Sequence, residues 1–199
     1  MSGRFIVFEG IDGSGKSTQL ARLADRLTAE GHIVWTTREP SNGDIGHLIR
    51  LGLTGKSKLD EATIALLFAA DRLSHIEEIR AHLAVGELVL CDRYILSSLA
   101  YNSQRLTLEW ILSLNREADA RLHPDLTLLL DLSEQEALHR IEARSDVVER
   151  YETLSQLYQV RQMYRMLADV RPEDNVTIID ASQNINTIAE AVYKATAEL

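Results

Sequence analysis

Arg4-Phe5-Ile6-Val7-Phe8-Glu9 runs directly into Gly10-Ile11-Asp12-Gly13-Ser14-Gly15-Lys16-Ser17-Thr18, and a stretch of helical period, Gln19 to Leu27, follows. The first six residues read as a buried strand. The nine after them match the P-loop pattern, in which glycines let the backbone curl without Cβ clashes. Successive N–H groups and a helix N-terminus then converge on phosphate oxygens. In that pattern Lys16 brings a point charge to the outer phosphates, and the Ser17 hydroxyl is placed to hold Mg²⁺. Gly10 to Thr18 is therefore the expected cradle for a nucleoside triphosphate, and its position between strand and helix is the one the mechanism demands.

Short β-rich apolar runs alternate with longer segments of helical period, the pattern of βα units around a parallel sheet. Five strands are expected, at Arg4 to Glu9, Ile33 to Thr37, Glu87 to Asp92, Leu126 to Asp131 and Val176 to Asp180. The fold class is thus α/β, a five-stranded parallel sheet flanked by helices. Leu88-Val89-Leu90-Cys91-Asp92 is an apolar strand ending in a carboxylate, a Walker-B arrangement that orients Mg²⁺ directly or through water. Ile64, Leu67, Phe68, Ile76, Ile79 and Leu83 recur at helical spacing and predict a long central helix. Ser133 with Glu136 predicts a capping-box helix start, and Ile185, Ile188, Ala189 and Val192 a closing helix. From about Arg140 to Glu152 charges crowd and apolar periodicity fades, so a short mobile lid is expected inside one domain spanning 1–199.

Composition narrows the partners. The 199 residues are 45% hydrophobic and carry 30 acidic against 21 basic side chains, a formal charge of −9. That suits a folded domain, and it disfavours a long nucleic acid, since a polyanion would meet a polyanion. A small anionic ligand answers to a few nearby groups instead. The lone cysteine, Cys91, cannot form an intrachain disulfide and reads as a small core residue, so a reducing cytoplasm is expected. No apolar run approaches the ~20 residues that span a bilayer, and no charged-then-apolar leader is read near the start, so a soluble, unprocessed protein is expected.

Beyond the P-loop, Arg38-Glu39-Pro40, Asp92-Arg93-Tyr94, Ser97-Ser98-Leu99-Ala100-Tyr101 and Glu149-Arg150-Tyr151-Glu152 occur in an order and spacing that closely resemble the thymidylate kinases. The likeness covers nearly the whole chain, with Pro124-Asp125 before the fourth strand and Asp180-Ala181-Ser182 after the fifth. It implies transfer of the γ-phosphoryl group of ATP to thymidine 5′-monophosphate (dTMP) with Mg²⁺, on a P-loop kinase fold with a flexible lid, in a homodimer.

Phe68 and Arg72 are four apart and share a helix face. By spacing alone a core phenylalanine and a solvated arginine fit as well; the resemblance implies that they grip thymine by stacking and by bonding a carbonyl edge. It likewise implies that Arg93 clamps the acceptor phosphate. Ser98 and Tyr101, three apart, can face one pocket, and the resemblance implies that Tyr101 lies against a deoxyribose with Asp12 near its 3′-hydroxyl. Arg38, at the exit of the second strand, is a further acceptor-side candidate, although a surface arginine fits there equally. Gly13 stands where some relatives carry arginine. This resembles the type in which the lid supplies the transition-state arginine, from Arg144 or Arg150; interleaved acids leave a solvated helix as the alternative. Departures are Ser41-Asn42-Gly43-Asp44 in place of a common Gly-Gly-Thr, and Asn102 in place of a common glutamine.

Two other readings stay open on the residues alone. A kinase of another acceptor fits as well, either a different monophosphate or a free nucleoside, the latter needing a base for the 5′-hydroxyl with Glu39 the first suspect. A nucleotide-operated switch would hydrolyse ATP without phosphorylating a metabolite.

Overall fold

The central apolar runs pair side by side because they are hydrophobic on both faces and have helices to bury them, while the second and fifth strands close the two edges more exposed. A computed structural model describes residues 3–144 and 153–199 of the chain. In it β1 (Arg4–Glu9), β2 (Val34–Arg38), β3 (Leu88–Asp92), β4 (Leu126–Asp131) and β5 (Val176–Asp180) form one parallel sheet in the order β2-β3-β1-β4-β5. Between them lie α1 (Lys16–Ala29), α2 (Asp44–Leu53), α3 (Glu61–Ala84), α4 (Ile95–Asn102), α5 (Leu108–Arg121), α6 (Glu134–Arg144) and α7 (Leu154–Val170). A 3₁₀ turn (Pro172–Asp174) precedes β5, and α8 (Ile185–Ala197) follows it.

The expected architecture holds, with two strand starts moved by one residue. Ile33 is largely exposed, and β2 runs instead from Val34 to Arg38, whose backbone pairs with Asp92. β3 starts at Leu88 rather than Glu87. Phe5 to Phe8, Val89 to Cys91 and Leu128 to Leu130 are buried and form the middle of the core. Register sets the site. Phe8 pairs with Asp92 and Arg38 with Asp92, so Glu9, Asp92 and Arg38 emerge together at the carboxyl edge, where ligands bind in open α/β sheets.

The central helix is as predicted. Ile64, Ile76 and Ile79 are fully buried, and Asp60 caps the start by accepting from the Thr63 N–H at 2.7 Å. At α6 only half of the expected capping box forms. Ser133 Oγ accepts from the Glu136 N–H at 3.3 Å, while the Glu136 carboxylate turns to Arg140 at 3.1 Å. The full box belongs to α7, where Thr153 and Gln156 each cap the other's backbone. The first residues of the segment expected as a lid, Arg140 to Arg144, are helical, since α6 continues through Arg144, helped by the Glu136–Arg140 pair one turn apart. The rest of the expected lid, from residue 145 to 152, lies outside the described residues. Among the described residues, no helix is long and apolar enough to cross a membrane.

Candidate active site

The P-loop geometry follows from its glycines. Gly13 has φ +80, and a Cβ there would meet the Ala137 carbonyl of α6 at 2.5 Å. Gly15, φ +94, is the N-cap of α1 and offers no side chain to the first helical turn, so those N–H groups are left for an anion. The Lys16 ammonium donates to the carbonyls of Gly10 and Ile11, both at 3.0 Å. Burial, reinforced by the Arg93 charge, lowers its pKa to about 8.

A cleft of about 700 Å³ opens over this loop, bordered by Asp12 to Gln19, by Arg38 and Arg50, and on the far side by Arg140, Gln183, Ile185 and Ile188. Gly10 and Ile11 are not on its wall; they act from behind, through their carbonyls on Lys16. A smaller cavity of about 140 Å³ adjoins it, bordered by Phe68, Arg72, Tyr94, Ser97, Ser98, Tyr101 and Asn102. Asp12, Glu39, Pro40, Leu53 and Arg93 border both.

At the junction, Arg93 Nη2 donates to Asp12 at 2.5 Å and to the Tyr101 hydroxyl at 3.2 Å, while Nη1 donates to Ser97 Oγ at 3.0 Å. The Tyr101 hydroxyl donates in turn to Asp12 at 3.0 Å. Burial alone would raise the Asp12 pKa; Arg93, Lys16 and the Tyr101 hydrogen bond outweigh it and hold the carboxyl at about 2. Arg93 has φ +76, a conformation non-glycine residues rarely adopt, and backbone bonds fix it. Its N–H goes to the Phe8 carbonyl, and the next N–H, of Tyr94, goes to Glu9.

Glu9 was not singled out in the sequence and is central here. It is fully buried and accepts from the Tyr94 and Ser97 N–H groups, Ser97 Oγ and the Tyr164 hydroxyl. The N-cap residue of α4, Tyr94, makes no side-chain cap, so this carboxylate from β1 takes the role and sets the direction of the helix carrying Ser98 and Tyr101. Burial pushes the Glu9 pKa up. A charged residue closing an otherwise apolar strand was the available signal.

Arg72 is not a solvated cap: it is only 1% exposed. Its Nε and Nη2 donate to Glu39 at 2.8 and 2.6 Å, Nη2 also reaches Ser98 Oγ at 2.9 Å, and Nη1 bonds Asn115. Phe68 stands half-buried on the same helix face and borders the small cavity. Arg38 is exposed on the larger cleft. The unexpected Ser41 is held by buried Asp71, which accepts from its N–H at 2.7 Å and its hydroxyl at 2.6 Å. Arg50 on α2 grips the Pro40 and Ser41 carbonyls. These contacts fix the loop that departs from the common pattern. Arg144 closes α6, its side chain outside the described residues, and Arg150 lies wholly outside them.

Ser17 Oγ donates to Asp92 Oδ2 at 2.5 Å beside Lys16. Two hard oxygen donors at the phosphate cradle fit Mg²⁺, which takes one or two protein ligands and completes its shell from phosphates and water. A second grouping, Asp119, His123 and Asp174, brings ligand atoms within 4.8 Å. There the Arg171 guanidinium already bonds both carboxylates, at 2.7 and 2.6 Å, so the cluster is an ion-pair network.

Comparison with known proteins agrees with this geometry. A family model described as thymidylate kinase matches residues 8–192. A thymidylate kinase of Exiguobacterium sibiricum is 41% identical over 208 residues, covering 98% of this chain and 94% of that protein. One of Bifidobacterium longum is 41% identical over 209 residues with both chains fully covered. A probable thymidylate kinase of Pyrococcus horikoshii is 42% identical over 195 residues, covering 94% and 93%. With its P-loop, its paired cavities and these relatives, the chain belongs to the thymidylate kinase family.

Proposed function

We propose that the two adjoining cavities hold the two substrates of the family's reaction, phosphorylation of dTMP to dTDP, with ATP in the larger and dTMP in the smaller. The observation that carries this reading is their shared wall, since Asp12 and Arg93 border both and Lys16 lies beside them. Phosphates bound on either side would meet there.

A monophosphate oxygen is already nucleophilic at neutral pH, so no strong base is required. Glu39 is unsuited to being one, because one of its oxygens is bonded to Arg72 and the other faces His75. That weighs against the free-nucleoside reading. Catalysis is then alignment and charge neutralisation. The P-loop N–H groups and Lys16 hold the donor phosphates, Arg93 turns from Asp12 to the acceptor phosphate, and Arg38 supports it from the cleft wall. Ser17 and Asp92 would hold Mg²⁺, which when bound neutralises charge on the phosphate oxygens. A lid arginine, Arg144 or Arg150, closes over the transferring group and excludes water.

On the acceptor side, Phe68 stacks on thymine while Arg72 and Ser98 meet its polar edge. Asn102, buried on the wall of the same cavity, supports the same edge. Tyr101 leaves little room for a 2′-hydroxyl. A homodimer belongs to the same proposal, and exposed Leu48 and Leu66, on the mutually packed α2 and α3, are apolar surface such an interface would cover. A reducing cytoplasm suits the single buried cysteine.

Product analysis with ATP, Mg²⁺ and each nucleoside monophosphate tests the reading. dTDP from dTMP is expected. ATP hydrolysis without dTDP, or preference for dCMP or AMP, would overturn it.

A further inference from the structure

Arg72 and Glu39 do not meet fork to fork. Nε and Nη2 both donate to one oxygen, Glu39 Oε2, at 2.8 and 2.6 Å, although a guanidinium and a carboxylate commonly engage both oxygens in parallel. The second oxygen, Oε1, is drawn elsewhere, lying 3.3 Å from Nδ1 of His75. His75 follows Arg72 by three residues on α3, so both side chains lie over the same carboxylate. Its ring is fully enclosed, and its other nitrogen, Nε2, is 2.7 Å from Thr37 Oγ1 on β2. With the Thr37 hydroxyl donating to Nε2, the ring proton sits on Nδ1 and points at Glu39.

The consequence falls on Arg72. Held by a single Glu39 oxygen, its guanidinium also reaches Ser98 and the Tyr94 carbonyl through Nη2, and Asn115 through Nη1. The Asn115 amide nitrogen is committed to the Ile111 carbonyl, which keeps its oxygen toward Arg72. Rotation of Glu39 into the two-oxygen arrangement would turn the guanidinium plane out of this set of contacts and away from the cavity it shares with Ser98 and Phe68.

We propose that His75 is a positioning residue for nucleobase recognition. By drawing off one oxygen of Glu39, it holds Arg72 in the orientation that meets the carbonyl edge of a pyrimidine in the small cavity. This rests on the reading above that Arg72 binds the base.

The test separates the two nitrogens. Asparagine at 75 places its amide near Nδ1 and keeps a donor for Glu39; glutamine reaches toward Nε2 and keeps a partner for Thr37 only. Steady-state kinetics of His75→Asn, His75→Gln, Thr37→Val and Arg72→Ala, each checked by thermal melting, provide the readout. His75→Gln is expected to raise KM for dTMP about tenfold, a loss of roughly 1.4 kcal/mol, consistent with a bond to a charged group. KM for ATP should stay within about twofold, and His75→Asn within about threefold of the parent for dTMP. Thr37→Val, which leaves the ring proton unassigned, should raise KM for dTMP about threefold, and it carries the test if His75→Gln does not fold. Equal effects of Asn and Gln at 75, equal effects on both substrates, or an unchanged Thr37→Val would reduce His75 to a space-filling role. If Arg72→Ala leaves dTMP kinetics unchanged, the base-reading role itself fails. If Arg72→Ala is severe while His75→Gln is silent, only the positioning role fails.

Discussion

Asp12 and Arg93 are each other's partners at 2.5 Å, on the wall that both cavities share. Arg93, proposed above to clamp the acceptor phosphate, is therefore held on a P-loop carboxylate, with the Tyr101 hydroxyl bonded to both. The pair holds Asp12 at about 2, down from 3.8. For a carboxyl depressed by folding, the stabilisation is present above the unfolded pKa and disappears as pH falls through the folded one. Melting temperature should therefore drop between about pH 4 and pH 2, and Asp12→Asn should flatten that part of the curve. Arg93→Ala should lower kcat/KM for dTMP by about 10²–10³, the usual cost of losing a preorganised donor at a transferring group.

Lys16 gives a prediction in the opposite pH range. Its pKa of about 8 means that part of the population is neutral in mildly alkaline solution. Triphosphate binding favours the charged form, so ATP binding should take up a fraction of a proton near pH 8 and almost none below about pH 7. ATP affinity should weaken as pH rises through that value. Calorimetry in two buffers of different ionisation enthalpy measures the uptake. Lys16→Ala should remove it and lower transfer by about 10³.

Ser17 and Asp92 predict a metal phenotype. Asp92→Asn keeps the hydrogen bond and weakens an anionic oxygen, so the Mg²⁺ concentration for half-maximal rate should rise about 10–100-fold. Metal-free ATP binding should change far less. A Mg²⁺ titration indistinguishable from the parent would remove Asp92 from the metal site.

The contrast between these residues and Arg72 explains what could be read in advance. Gly10 to Thr18 and Asp92 are legible because their chemistry is local, a loop between strand and helix and a carboxylate at the end of an apolar run. The central strands β1, β3 and β4 are legible because burial on both faces makes them nearly continuously hydrophobic. Arg72 is different. Its partners Glu39, Ser98 and Asn115 are 33, 26 and 43 residues away, and only the fold brings them together. On helical spacing alone Phe68 belongs with Ile64 and Ile76, yet it lines the cavity while they are fully buried. Resemblance singled out both residues as base-binding candidates, where periodicity alone placed Phe68 in the core. Glu9 and Tyr164, 155 residues apart, meet in the interior, and no local pattern marks a buried polar pair of that kind.

Tyr101 tests the sugar assignment. Its ring lies between the Arg93 guanidinium, 4.9 Å from the centroid, and the small cavity. Tyr101→Ala should open space beside the sugar and raise the relative kcat/KM of the ribose-containing monophosphate about tenfold, the modest scale on which one hydroxyl is sterically rejected. Side-by-side kinetics with the two monophosphates decide it.

Arg171 predicts stability without chemistry. It lies at the end of α7, its Nε on Asp174 at 2.6 Å and its Nη2 on Asp119 at 2.7 Å, outside both cavities. Asp174 is buried, and burial raises its pKa even with Arg171 beside it. Arg171→Ala leaves that carboxylate without its cation next to Asp119, and removing one member of a buried pair costs about 3 kcal/mol or more, roughly 6–12 °C in melting temperature for a chain of this size. The sign of the pH dependence follows from the raised pKa. At neutral pH the variant must keep an unpaired buried charge or take up a proton; near pH 4 the proton is readily available. The deficit should therefore be largest at pH 7 and shrink toward pH 4, while kcat at 25 °C stays near that of the parent. A deficit that is constant with pH would mean that lost packing of the arginine stem, rather than the uncompensated carboxylate, sets the cost.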